Sequence, residues 1–167
     1  MITALALFAA LQQPADTGAG RPCTVVIDSI GGSYRQTVQG ADTNRFAGGG
    51  VLAHCKGTGS MLAADSFAWF GSQRRVDLVR NVQIRDTALT LDATTASYLL
   101  RQERLEAHRN VVAVNRETGS VLKGPNLTYW RVAKGVRDTM EMFASSRPTI
   151  EYRSQSDSAA EPYLIVA

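Results

Sequence analysis

The sequence is poor in the side chains that most often hold metal ions or bind nucleic acids. Its 167 residues include only two histidines and two cysteines, which cannot supply a four-ligand zinc site without carboxylates. Lys and Arg exceed Asp and Glu by three, but they are spread along the chain, and no basic run marks a nucleic-acid-binding surface. We therefore expect no metal, no cofactor and no nucleic-acid partner.

Motifs for catalysis are missing as well. The run KGTGS at 56–60 lacks both the Gly-Lys-Ser/Thr and the helix of a phosphate-binding loop, so it predicts a hairpin turn. Neither His54 nor His108 accompanies a serine in a nucleophile-elbow context. The sequence therefore predicts a protein that is not an enzyme.

No apolar run is long enough to cross a bilayer, but the start of the chain matches a signal peptide. Residues 2–11, ITALALFAAL, have the length and apolarity of its central region. Residues 12–20 are typical of a linker, with Pro14 and Gly18. We expect residues 1–20 to be an export leader with its linker, and the alternative is a buried N-terminal helix.

Export would place the two cysteines in an oxidising compartment. Cys23 opens the alternating stretch CTVVIDS, and Cys55 closes GVLAHC. An even pair in an exported protein favours a disulfide across neighbouring strands. Two buried free thiols are the alternative.

Helical periodicity is absent after the leader, and apolar residues alternate with polar ones instead. Val76, Leu78, Val82 and Ile84 share one parity along RRVDLVRNVQIR, and RLEAHRNVVAV repeats the pattern. Turn clusters such as GTGS and ETGS separate these runs. The chain is therefore predicted to be all-β.

An internal repeat of about thirty residues is the most informative pattern. The aromatic residues Trp69, Tyr98 and Tyr129 recur at this spacing, and each follows a leucine by seven residues; these leucines are Leu62, Leu91 and Leu122. One unit is too small to bury its own apolar face, so the units must stack. This predicts a β-solenoid or a β-jelly roll of stacked antiparallel hairpins.

These units resemble the OstA-like (organic solvent tolerance, LptA-type) domain of periplasmic lipopolysaccharide-transport proteins. The matching stretches are GGGVLAHCKGTGSMLAADSFAWF, RNVQIRDTALTLDATTASYL, RNVVAVNRETGSVLKGPNLTYW and SSRPTIEYR, over roughly residues 45–152. The resemblance implies a non-catalytic β-jelly roll, or β-taco, over residues 21–152. It also implies a periplasmic carrier or bridge that binds lipopolysaccharide, or a related glycolipid, on its way to the outer membrane.

Under this resemblance, inward-facing apolar side chains would line a groove for the acyl chains of lipid A. The candidate lining residues are Leu62, Val76, Leu78, Val82, Ile84, Leu91, Leu105, Val111 and Leu122. Small inward residues such as Ala107 would leave space for the ligand. The alternative is an ordinary packed core built from the same side chains.

Two arginines stand where the family often has glycine before Asn-Val. By parity, Arg80 and Arg109 align with the inward residues of their strands, so they are candidate contacts to lipid A phosphates at the mouth of the groove. The alternative is a β-bulge that turns each side chain into solvent. The bulge is favoured, because an unpaired buried arginine is costly.

The C-terminal residues 153–167 are predicted to form a polar loop and then the start of a further strand, PYLIVA. An uncapped apolar strand invites pairing with another chain. We therefore expect head-to-tail docking on a second copy or on another β-jelly roll transport protein, unless the sequence is a fragment. Two other functions stay open, a structural β-solenoid scaffold and the N-terminal periplasmic part of a larger outer-membrane assembly protein.

Overall fold

The structure is a computed structural model that describes residues 23–133, 137–152 and 162–166. The expected leader at 1–20 and most of the expected polar loop after Tyr152 lie outside the described residues. Among the described residues, no helix has the length and apolarity to cross a membrane.

The described chain is all-β, as predicted. One short 3-10 helix, Leu100–Gln102, accompanies eleven strands. The strands are β1 (Thr24–Ile30), β2 (Tyr34–Gln39), β3 (Asp42–Lys56), β4 (Met61–Phe70), β5 (Arg75–Arg85), β6 (Leu89–Leu99), β7 (Arg104–Asn115), β8 (Val121–Trp130), β9 (Glu141–Ser145), β10 (Thr149–Tyr152) and β11 (Tyr163–Val166).

All eleven strands belong to one antiparallel sheet that is folded along a crease. One half of each long strand, from β3 to β8, pairs within a leaf that also contains β1, β10 and β11. The other half pairs within a leaf that also contains β2 and β9. We call these the β1 leaf and the β2 leaf. Their inner faces share one apolar core, which confirms the predicted β-jelly roll of stacked hairpins.

The crease is a line of β-bulges at equivalent positions. The pairing register shifts at Gly48/Val51 in β3, Val79/Val82 in β5 and His108/Val111 in β7. At the crease, two consecutive residues in each of these strands have positive φ, namely Gly49–Gly50, Arg80–Asn81 and Arg109–Asn110. Ser146–Arg147 repeats this geometry between β9 and β10.

The bulges also change which residues face inward. In β6, Leu91 and Tyr98 lie seven residues apart, so a regular strand would place them on opposite faces. The register shift at Asp92/Thr95 lets both side chains enter the core, where they are 0% and 5% exposed. This explains why the repeat places a leucine seven residues before each aromatic residue.

Glycine at the crease is expected to stabilise the fold. Arg80 and Arg109 have φ of 62° and 64°, a conformation that costs an L-residue roughly 1–2 kcal/mol. Glycine adopts it freely but loses about 0.5–1 kcal/mol through unfolded-state entropy. Arg80→Gly or Arg109→Gly should therefore raise the free energy of unfolding in urea by about 0.5–1 kcal/mol.

Gln83→Gly is the matched control, because Gln83 is exposed on the same strand and is not among the residues with positive φ. It should lower the free energy of unfolding by about 0.5–1 kcal/mol. If Arg80→Gly is as destabilising as Gln83→Gly, the crease is not strained.

Candidate functional site

The two leaves meet again on the side opposite the crease, and a buried ion pair closes this mouth. Asp86 lies in the β5–β6 hairpin of the β1 leaf, and Arg131 follows β8 in the β2 leaf. Arg131 Nε lies 3.1 Å from Asp86 Oδ2 in an ion pair, and the two side chains are 15% and 6% exposed. Because the partners come from different leaves, this contact holds the mouth closed.

Glu103 provides a second link across the mouth. Its Oε1 accepts a hydrogen bond from the backbone N–H of Cys23 at 3.2 Å, which joins the β2 leaf to the segment that enters β1. The Tyr98 hydroxyl donates to its other oxygen, Oε2. Arg131 Nη1 lies 4.0 Å from Oε2. We call Asp86, Glu103, Arg131 and Tyr98 the mouth cluster.

Burial sets the protonation states within the mouth cluster. It raises the pKa of the Tyr98 hydroxyl far above its usual value, and the nearby Glu103 carboxylate adds to this shift. Burial would lower the pKa of Arg131, but Asp86, Tyr98 and Glu103 outweigh it and raise that pKa. At neutral pH the phenol is therefore a neutral donor and the guanidinium is charged.

Behind the mouth cluster, the interior is packed. A cavity of about 20 Å³ lies between the leaves, against Leu62, Ile84, Leu89 and Tyr129. That space suits one water molecule rather than an acyl chain. The nine predicted lining residues, from Leu62 to Leu122, are all buried, at 0–7% exposure. In this closed state they form a packed core, and their contact with a lipid stays a prediction that requires the leaves to separate.

An open cleft lies at the N-terminal end of the fold, where β1 faces the β2 leaf. Its volume is about 610 Å³, within the usual range for small-molecule sites. The apolar lining includes Val25, Ile27, Ile30, Phe67, Trp69 and Leu100. Arg45 and Arg74 also line it, and both are exposed. We call this space the N-terminal cleft.

The repeat pattern does not predict this cleft, for two reasons. Trp69 matches the repeated aromatic residues, yet it lies at the end of the stack and stays partly exposed. The apolar residues of β1 precede the repeat, so no repeat position pointed to them. Only the topology shows that β1 and β4 flank one space.

The two arginines chosen from the sequence lie at the crease, on the far side from the mouth. The bulge alternative is the one that the structure has, because Arg80 and Arg109 interrupt the alternation and are exposed. This is the favoured interpretation of the two; the inward orientation, with phosphate contacts at the groove mouth, is not the one in the structure. Arg80 Nε lies 4.0 Å from Asp65 Oδ2, with its side chain 72% exposed.

The two cysteines are joined at the start of β1. A disulfide links Cys23 to Cys55, with Cα atoms 5.0 Å apart, and β1 pairs with β3 at Val25↔Cys55. The disulfide thus fixes Cys23 to β3, and the backbone N–H of Cys23 also donates to Glu103. His54, beside Cys55, binds Asp28 through Nδ1 at 2.7 Å, and no metal-ligand cluster occurs among the residues that the structure describes.

The C-terminal strand lies at an open edge of the sheet. β11 pairs with β10 through Ile150↔Ile165 and its neighbours. All four β11 side chains are exposed, with Leu164 at 67% and Val166 at 68%. The apolar edge expected from PYLIVA is present in the described residues.

No protein-family model and no curated protein matches the sequence. Among solved structures, the fold is similar to LptH from Pseudomonas aeruginosa, described as the LptA-homologous periplasmic component of the conserved lipopolysaccharide transport device. The match has a TM-score of 0.51 at 14% identity and covers 80% of this chain and 100% of that one. At this identity, the likeness is one of fold.

Removing the cation of the mouth cluster should destabilise the protein strongly. Arg131→Met leaves Asp86 and Glu103 buried without their counter-ion, so we expect the free energy of unfolding to fall by about 3 kcal/mol. Lys123→Met is the matched control, because Lys123 pairs with Glu151 at 3.1 Å but is 55% exposed; it should cost less than about 1 kcal/mol. Equal losses in urea titrations of the two variants would contradict the assigned role of Arg131.

Proposed function

We propose that this protein is a non-catalytic periplasmic carrier that binds lipopolysaccharide, or a related glycolipid, between its two leaves. The observation that carries the proposal is a single sheet folded around an apolar interior, closed at the mouth and open at its N-terminal end. The fold likeness to LptH and the signal-like leader support it. No cofactor is needed for such a role.

The energetics allow a carrier that opens. Each methylene moved from water into an apolar interior gains about 0.8 kcal/mol, so a dozen carbons gain on the order of 10 kcal/mol. Parting the mouth cluster exposes its charges to water, which removes their desolvation cost. Acyl chains can therefore offset the loss of contacts between the leaves.

End-to-end docking would extend the interior from one molecule to the next. Among the described strands, β11 ends the β1 leaf and β9 ends the β2 leaf, so these two edges lie on the same side of the fold. The exposed apolar residues Phe143 and Leu164 lie on these edges. We propose that a second copy, or another β-jelly roll transport protein, pairs with them. The scaffold alternative predicts no lipid in the interior.

Site-specific photo-crosslinking in cells tests the lipid proposal. A crosslinking residue at Met142 or Ile150, which are in register with the interior residues Tyr129 and Leu122, should capture lipopolysaccharide. Their strand neighbours Phe143 and Glu151 point the other way and serve as matched controls. Capture from the controls alone, or from none of the four positions, would reject a lipid-holding interior.

Charges on the edge strand should abolish docking. We expect the wild-type protein to self-associate as its concentration rises, and Leu164→Glu with Val166→Glu to sediment as a monomer. A control with the same added charge, Met61→Glu with Val79→Glu, alters exposed apolar positions on β4 and β5, away from the edge, and should still associate. A wild-type protein that is monomeric at every concentration in sedimentation velocity would disprove self-docking.

A further inference from the structure

The N-terminal cleft differs from the rest of the interior because it is already open. Between the leaves, the space behind the mouth cluster is about 20 Å³, whereas the cleft offers about 610 Å³. Val25, Ile27 and Ile30 pack against the core from β1 yet stay partly exposed. Moving such water-exposed apolar surface out of water is favourable, so these side chains suit contact with an apolar segment of a ligand.

Arg45 is the cation near the end of an otherwise uncharged row on the β2 leaf, in which Gln36 of β2 is the last member. Strand pairing places Arg45 opposite Trp69, and the row continues through Val76, Tyr98, Leu105, Tyr129 and Met142. Side chains directly opposite each other on one face have Cβ atoms roughly 4.5–5.5 Å apart. The register thus makes Arg45 and Trp69 direct cross-strand neighbours, and both residues line the N-terminal cleft.

Arg74 brings a second positive charge to the cleft from the β4–β5 hairpin. Its backbone is fixed there, because φ is 47° and its carbonyl accepts the N–H of Leu100 at 3.0 Å. Within the described part of the chain, neither Arg45 nor Arg74 forms an ion pair. The described residues that line the cleft also include no acidic side chain.

We propose that the N-terminal cleft binds the phosphate end of a lipid, with one acyl chain against the apolar floor and the phosphate held by Arg45 and Arg74. Guanidinium groups suit this role because their planar donors match phosphate oxygens. The inference rests on the proposed carrier function and adds its headgroup chemistry. It also moves the phosphate contacts from Arg80 and Arg109 at the crease to a different pair of arginines.

Tryptophan fluorescence provides the test, since the chain has two tryptophans and only Trp69 lines the cleft. Trp130 stacks with Arg137 elsewhere, so Trp130→Phe leaves Trp69 as a reporter. Titration with monomeric dodecyl phosphate should change Trp69 emission. Arg45→Gln with Arg74→Gln should weaken this binding at least about tenfold, whereas the control Arg80→Gln with Arg109→Gln should not.

The ligand series separates a lipid from a free anion. Inorganic phosphate should compete weakly, and dodecyl maltoside, which has the tail without the charge, should bind more weakly than dodecyl phosphate. Equal affinity of both double variants, no response of Trp69, or competition by inorganic phosphate at equal concentration would each overturn the assignment. The crosslinking positions Met142 and Ile150 lie outside the cleft, so a failure here with lipid capture there rejects this site and leaves the carrier function standing.

Discussion

A buried ion pair between the leaves, Asp86 with Arg131, is the contact on which the closed form of this protein depends. Folding one sheet upon itself covers its apolar face but leaves an open side opposite the crease. Hydrophobic burial alone is non-directional, so it does not determine how the two rims align. The charged contact at 3.1 Å, together with the bond from Cys23 to Glu103, fixes that alignment at specific atoms.

The crease imposes the complementary constraint. Each long strand must bend at the same level. In β3, β5 and β7 the bend is made by two consecutive residues with positive φ. Asparagine tolerates this conformation well, whereas arginine does so only at a cost. The side-chain amides of Asn81 and Asn110 donate hydrogen bonds along the crease, to Asp65 and Thr94 on the neighbouring strands, which helps to hold the bulges in line.

The alternation of apolar and polar residues predicted the all-β fold and most of the buried residues, because successive side chains of a strand point to opposite faces. It predicted Val76 and Leu78 as interior residues, and both are buried. Alternation fails at a bulge, where parity is interrupted, so it misplaced Arg80 and Arg109. Alternation alone does not predict that Leu91 and Tyr98 both face the core, because this depends on the register shift between them. Of the mouth cluster, only Tyr98 belongs to the repeat. Asp86, Glu103 and Arg131 could not be predicted, because they are single charged residues in two separate strand connections and just after β8.

Leaf separation is the central claim of this account for the interior behind the mouth cluster, because the cavity of about 20 Å³ there cannot hold an acyl chain. Spin labels can be placed at Glu117 and Gln102, two exposed positions in hairpins at the mouth ends of opposite leaves. Pulsed electron paramagnetic resonance would then measure the distance between the two labels. The account predicts that adding lipopolysaccharide shifts the distance distribution to longer values. An unchanged distribution in a sample whose lipopolysaccharide is demonstrably bound would contradict it.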